Sequence, residues 1–578
     1  MRVPVGGSRR GKHLLGLVAL LLLAAGQLAL SGAALARPAE EVLRERVEQI
    51  RSVGTLTIGD RVVTPSQALP DLYEQRGFEL LWRDRKKAAE LLAAVRAVEA
   101  DGLDREDYHA SLIEGLAAAP GGGEAERIDL DLLRTDALVR LTYDLYFGRL
   151  DPERLDSDWN LGRDLTDPVP AQALARALDT GDVRALVAEM RPRHPLYGQL
   201  VEALAQYRQI AAEGGWPTIP GGPKLERGAQ GARVLALRRR LAVSGDGPPV
   251  PASGGGHFDR VLAEAVKGFQ RRHGLLGDGV VGQATLDALN VPVEARIDQI
   301  RVNLERARWA LREAPDEFVV VDIAGFNAAY VRNGETLWRS RVQVGTPYRK
   351  TPTFRSEITY LVFNPTWTVP PTILAKDILP DARQNPGEVA RRGLKVLDRQ
   401  GREVDPGSVD WSRARASNFP YVLRQDPGPR NALGRIKFMF PNRHHIYLHD
   451  TPKKSLFDKP ERAFSSGCIR IENPLELAEL LLGDPERWNR DRLEEATGKT
   501  RTRTVFLPRP VPILLLYWTV FFDEAGRVGF KKDIYERDRA VLEALGQELP
   551  AARTVDRARP PAGAPASLTW AGEGKRAP

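Results

Sequence analysis

The chain has 578 residues, 42% of them hydrophobic and 28% charged. That is too long for a single core and too apolar for wholesale disorder, so about three or four domains are expected. The formal net charge of +8 suits a polyanionic surface, but no dense Lys/Arg block is interleaved with aromatics, which argues against a nucleic-acid partner.

The first 36 residues carry Arg2, Arg9, Arg10 and Lys12 ahead of an apolar run over 14–30, then the small-residue stretch Ala34-Leu35-Ala36. This pattern predicts a signal peptide at 1–36 and export to the periplasm or cell envelope. The same run is close to spanning length, so an uncleaved segment would anchor the chain in the membrane. The other apolar run, "VPILLLYWTVFF" (511–522), is too short to span and rich in β-formers; it predicts a buried strand.

From 37 to 216 the apolar residues recur at three- and four-residue spacing, with Gly or Pro between segments. This predicts a helical scaffold domain whose carboxylates and arginines lie on solvated helix faces. The stretch "WPTIPGGPKLERG" (216–228) is a linker into a small three-helix unit at 224–291. His257 and His273 there have no companion ligands and are expected at the surface.

After a helical connector the period changes to that of strands, and Asn333-Gly334 marks a tight hairpin. Residues 316–498 are read as a mostly β domain, interrupted at 371–430 by a Pro-, Gly- and charge-rich insertion of the kind that caps a site. Residues 499–548 are read as a C-terminal extension, and the Ala/Pro/Arg-rich 549–578 as a disordered tail.

One cysteine, Cys468, sits in "RAFSSGCIRIENPLEL" (462–477). With no partner it forms no intramolecular disulfide, although its destination is oxidising. Alternation along "CIRI" places Cys468 and Arg470 on one face and Ile469 and Ile471 on the other. "NPLELAELLLG" then predicts a helix with Asn473 as N-cap, Pro474 first, Glu476 closing a capping box and Gly483 ending it. A nucleophilic thiol needs a base, and the candidates are His444, His445 and His449 in "NRHHIYLHD". A zinc site on His445 and His449 is disfavoured, because on a strand four residues separate side chains by roughly 13 Å.

"YLHDTP", a fifteen-residue spacer and "SSGCIR" resemble the signature of the YkuD-type L,D-transpeptidases. "VGTPYRKTPTF", "FNPTWTVPPTI" and "RQDPGPRNALGRIKFMFPN" are similar to the large periplasmic, YcbB-like branch of that family. The unit at 224–291 resembles a peptidoglycan-binding domain, through Leu225, Gly228, Phe258, Asp259, Gln270, Asp278, Gly279 and Thr285 among others. One departure stands out. Relatives usually carry a histidine just before the glycine of the cysteine motif, and this chain has Ser466.

The resemblance implies a multidomain α+β architecture: a mostly β catalytic domain, a three-helix binding module and a helical scaffold. It also implies an enzyme of peptidoglycan biosynthesis and cell shape in which Cys468 is the acylated nucleophile and His449 its base. Backbone amides around Gly467 and Cys468, in the loop that includes Ser466, would hold the oxyanion. Arg470, Trp367, Tyr447 and Asn431 are candidates to line the substrate site. A backbone carbonyl, rather than Asp450, would orient the imidazole.

Stem peptides would serve as donor and acceptor, with release of D-alanine and 3→3 crosslinking. No cofactor or metal is implied; carbapenem acylation is, and peptidoglycan synthases are candidate partners. Two rival readings remain. The same site could act as a carboxypeptidase, crosslink hydrolase or lipoprotein-anchoring enzyme, or the chain could be a non-enzymatic wall-binding scaffold.

Overall fold

The computed structural model describes residues 38–547 apart from 120–122, 162–166, 252–254 and 313–314. The expected signal segment at 1–36 and the expected tail at 549–578 lie outside the described residues. No described helix is long and apolar enough to cross a membrane.

The N-terminal region is helical as expected, around the helix Glu124–Phe147, with one small hairpin of β1 (Leu56–Ile58) and β2 (Arg61–Val63). Its carboxylates depart from the solvated-face reading. Asp131 is buried, accepts from the Tyr73 hydroxyl at 2.6 Å and from the Trp82 amide at 2.9 Å, and so ties two segments to the central helix. Asp136, equally buried, meets Arg140 at 2.5 Å and His109 at 2.7 Å, which together with the Ser66 amide hold its carboxyl down at about 2. Charges taken out of water persist only when paired in this way.

The three-helix unit consists of Ala232–Val243, Arg260–Arg272 and Gln283–Leu289 around Val234, Leu237, Phe258, Phe269 and Leu289. Gln270 explains part of its sequence pattern: it donates to Asp278 and to the Val280 carbonyl and accepts from the Gly279 amide. His257 is exposed, but His273 is not the surface residue expected. It stacks on Phe269 at 3.7 Å, faces Phe530, and burial pushes its imidazole well down.

The β-rich half is built on a nine-stranded sheet. In chain order its strands are β3 (Glu317–Asp322), β4 (Asn327–Arg332), β5 (Glu335–Gly345) and β6 (Phe354–Phe363). An insertion then supplies β7 (Trp367–Thr368), β8 (Lys395–Leu397), β9 (Glu403–Val404) and β10 (Val422–Gln425). The sheet resumes with β11 (Ile436–Met439), β12 (Leu448–His449), β13 (Ala463–Ser465), β14 (Ile469–Ile471) and β15 (Arg503–Leu516). The spatial order is β13-β5-β14-β12-β11-β6-β15-β3-β4, and β4 also pairs with β5, so the sheet curls back on itself. Asn333 and Gly334, at φ 53° and 79°, make the β4–β5 turn.

The boundary expected at 498 cuts through this sheet. The apolar 511–522 run, expected as one buried strand, is split: 511–516 ends β15, which pairs with both β3 and β6 in mid-sheet, and 520–522 belongs to a separate hairpin. The true extension begins after it, with the hairpin of β16 (Val520–Phe522) and β17 (Val528–Phe530) and the helix Arg537–Leu545.

The insertion folds as its own unit. Its sheet, β7-β10-β8-β9, covers a separate core of Ile378, Leu379, Val389, Val396, Trp411 and Leu423. The connector helix Val293–Ala310 packs between the scaffold and the sheet, on Leu200 and Leu204 from one side and Leu514 and Leu516 from the other.

Candidate active site

Local sequence places the cysteine on a rigid mount. Ile469 and Ile471 of β14 are fully buried in the main core, so the alternate positions, Cys468 and Arg470, face outward as expected. The helix Pro474–Leu482 follows at once, ended by Gly483 in the left-handed conformation. The expected capping box does not form: Asn473 makes no side-chain cap, and its amide is instead bound to Ser340 Oγ at 3.3 Å.

Strand register assembles the rest. β12 runs parallel to β14 with His449 opposite Arg470, while β11 places Lys437 opposite His449 and β5 places Gln343 opposite Arg470. One row across four strands therefore reads Lys437, His449, Arg470, Gln343. Tyr447 and Cys468 stand together on the same outward face, and Lys437 Nζ lies 3.7 Å from the centre of the Tyr447 ring.

The half-buried thiol also points at the His445 carbonyl, 3.8 Å away. Burial pushes its ionisation up, against the opposing pull of hydrogen bonds from Tyr447 and the charges of Lys437 and Arg470. His449 moves the other way. Burial, then Arg470, push its imidazole down to about 3, although the carbonyls of Asp450 and Leu433 favour the charged form.

His449 Nδ1 is hydrogen-bonded to the Asp450 carbonyl, which can only accept, so in the neutral ring Nδ1 carries the proton. The Leu433 carbonyl also reaches the ring and favours a proton on it. The Asp450 carboxylate is turned away, onto Lys454 Nζ at 2.7 Å and the Arg435 amide at 2.9 Å. Burial thus favours the neutral forms of both the thiol and the imidazole. That arrangement suits proton removal in step with nucleophilic attack.

The loop that carries the cysteine is braced from two sides. Gly467, at φ 117°, lies where a side chain is strained, and an added Cβ would sit 3.1 Å from Ile446 Cδ1. Its carbonyl accepts from Thr351 Oγ1 at 2.8 Å, and Thr351 Oγ1 accepts from the Gly345 amide at 2.9 Å. Its amide, expected to face an oxyanion, is bound to Ser465 Oγ at 3.0 Å. Ser466 Oγ accepts from Arg349 at 2.8 Å, and the same arginine pairs with Asp377 of the insertion.

The remaining candidates separate. Arg470 donates to Gln343 Oε1 at 3.1 Å, and its buried Nε makes no hydrogen bond. Asn431 is buried and spends its amide on the Pro365 and Asp426 carbonyls and its oxygen on the Leu433 amide, so it shapes a turn. Trp367 pairs with Gln425 and packs on the core of the insertion, away from the row. His444 stacks near Phe354 and faces Asp158, and His445 is exposed. Of the three candidate bases, His449 alone stands in the row.

Sequence reasoning missed Lys437, Arg349, Thr351 and Tyr535. Lys437 was findable, because alternation in "IKFMF" sets Lys437 and Met439 on one face. Tyr535 was not, since its hydroxyl donates at 2.6 Å to the Gly345 carbonyl from 190 residues away.

Three family descriptions match the chain: "L,D-transpeptidase catalytic domain" over 316–511, "Putative peptidoglycan binding domain" over 230–289 and "Scaffold domain" over 67–204. A curated protein of Haemophilus influenzae named "Putative L,D-transpeptidase" is 34% identical over 274 residues, 46% of this chain and 54% of that one. The chain thus spans about half the length of this curated relative.

Among solved structures, an L,D-transpeptidase of Stackebrandtia nassauensis is 15% identical and covers 52% of this chain and 96% of its own, at a TM-score of 0.21. One of Xylanimonas cellulosilytica is 16% identical and covers 51% and 99%, at a TM-score of 0.15. Superpositions this loose add nothing to the geometry above.

Proposed function

We propose, for a chain that carries an L,D-transpeptidase catalytic domain beside a peptidoglycan-binding domain and a scaffold domain, that it crosslinks peptidoglycan stem peptides at the cell envelope through a thioester on Cys468. The single observation that supports this most is the register of β12 with β14, which sets the buried His449 on the same sheet face as the only cysteine, with Nδ1 committed to the Asp450 carbonyl.

In this reading His449 Nε2 takes the thiol proton as Sγ attacks the carbonyl of the third stem residue. The C–N bond to D-alanine breaks, and the imidazolium returns its proton to the departing amine. A side-chain amine of a second stem then attacks the thioester, gives its proton to His449, and the thiol is restored with a 3→3 bond formed. The oxyanion falls to the Cys468 amide and the Tyr447 hydroxyl, since the Gly467 amide is engaged. Lys437 and Arg470 stabilise charge as it develops on sulfur and oxygen.

Incubation with disaccharide-tetrapeptide tests the proposal. D-alanine and a crosslinked dimer are expected by mass. Absence of both, with Cys468 unmodified, would rule it out; free D-alanine with tripeptide alone would point to water as acceptor.

A further inference from the structure

The outward face of the sheet continues well beyond the nucleophile. Met439, two residues from Lys437 on the same face, pairs with Tyr360, and Tyr360 pairs with Phe506 on β15. The row that holds Cys468 and Tyr447 therefore runs on through Met439, Tyr360 and Phe506. The intervening residues Phe438 and Leu361 point the other way, into the core.

The far end of this row is open and aromatic. The Tyr360 and Phe506 rings lie 5.4 Å apart, and Phe506 is 71% exposed, beside the exposed Thr504. A phenylalanine this exposed, on the same surface as a reactive thiol and continuous with it, is a feature that substrate would cover.

Length and chemistry identify the part of the substrate. Four strand spacings of about 4.8 Å separate β14 from β15, or about 19 Å. From the third-residue carbonyl back through three residues and the lactyl ether is about four chain units, or about 14 Å when extended. A stem lying along the row therefore ends where its sugars begin, near Tyr360 and Phe506. Aromatic faces suit the apolar faces of sugar rings, and Lys437, in the adjacent row and 3.7 Å from the Tyr447 ring, suits a carboxylate of the stem.

We propose that Tyr360 and Phe506 form a saccharide platform that receives the disaccharide attached to the donor stem. This rests on the crosslinking reading, but it is tested by binding alone. In a Cys468→Ala background, dissociation constants are measured for a disaccharide-tetrapeptide and for the same tetrapeptide without sugars. Phe506→Ala removes only an exposed ring. It is expected to erase about ten-fold of the preference for the sugar-bearing ligand. Val62→Ala, an equally exposed truncation on the scaffold, should keep the preference.

An unchanged ratio in Phe506→Ala, or equal weakening of both ligands, would overturn the platform. Turnover by the Cys468-containing protein reports separately on the crosslinking reading.

Discussion

Arg349 grips Asp377 with both terminal nitrogens, at 2.6 and 2.9 Å, and with one of them also holds Ser466, two residues from Cys468. Asp377 belongs to the insertion and Ser466 to the cysteine loop, so one guanidinium joins the cap to the site. Both partners of the pair are partly exposed, which limits its worth to about 1 kcal/mol or less. Asp377→Asn is therefore expected to raise hydrogen exchange in residues 374–384 by several-fold with little change in global stability. Unchanged exchange would show that the insertion is held by other contacts.

Tyr535 braces the same loop from the C-terminal extension. Its hydroxyl donates to the Gly345 carbonyl and accepts from the Thr351 amide at 3.1 Å, and all three residues are buried or nearly so. Tyr535→Phe keeps the ring and strands both backbone groups, which should cost about 1–3 kcal/mol in denaturant unfolding. A loss below a few tenths would mean that the two groups find other partners.

Gly467→Ala combines a backbone conformation unfavourable to side chains with a contact on Ile446. The strain, on the order of 1–3 kcal/mol, falls on the loop that aims the thiol. Activity is expected to fall at least ten-fold while the far-ultraviolet circular dichroism stays that of the parent. Parental activity would show that this loop relaxes without penalty.

The ionisation of the pair gives two pH signatures. Burial raises the Cys468 thiol, so alkylation by iodoacetamide should be slow at neutral pH and climb with an inflection above that of a free thiol. His449, near 6.5 when unfolded, is held at about 3 when folded. The unfolded chain then binds the extra proton first. Stability from this residue is complete above about pH 6.5 and is lost as pH falls toward 3, on the order of 4 kcal/mol in all. His449→Gln should flatten that limb of the stability profile; an unchanged slope would place the acid sensitivity elsewhere.

The parts of the fold legible in sequence were those fixed by local pattern. Alternation around Cys468 and the Asn333-Gly334 turn appear where expected, and the first half of the apolar 511–522 run is a buried strand, because each depends on neighbours a few residues away. Of His444, His445 and His449, His449 alone pairs in register with β14.

What sequence hid was set by distant partners. β15 read as an extension because its strand neighbours, β3 and β6, precede it by more than a hundred residues. His273 looked like a surface residue until the β17 hairpin brought Phe530 against it. Asn473 had the composition of a cap, but Ser340 on another strand claims its amide. The engaged amide of Gly467 likewise follows from where the Ser465 hydroxyl turns, which no local pattern specifies.

The most direct test of the account is the intact mass of the protein during reaction with disaccharide-tetrapeptide. The account predicts an adduct equal to the donor less D-alanine, located on Cys468, absent in Cys468→Ala and strongly delayed in His449→Ala. D-alanine release that persists in Cys468→Ala, or an adduct formed equally fast without His449, would contradict it.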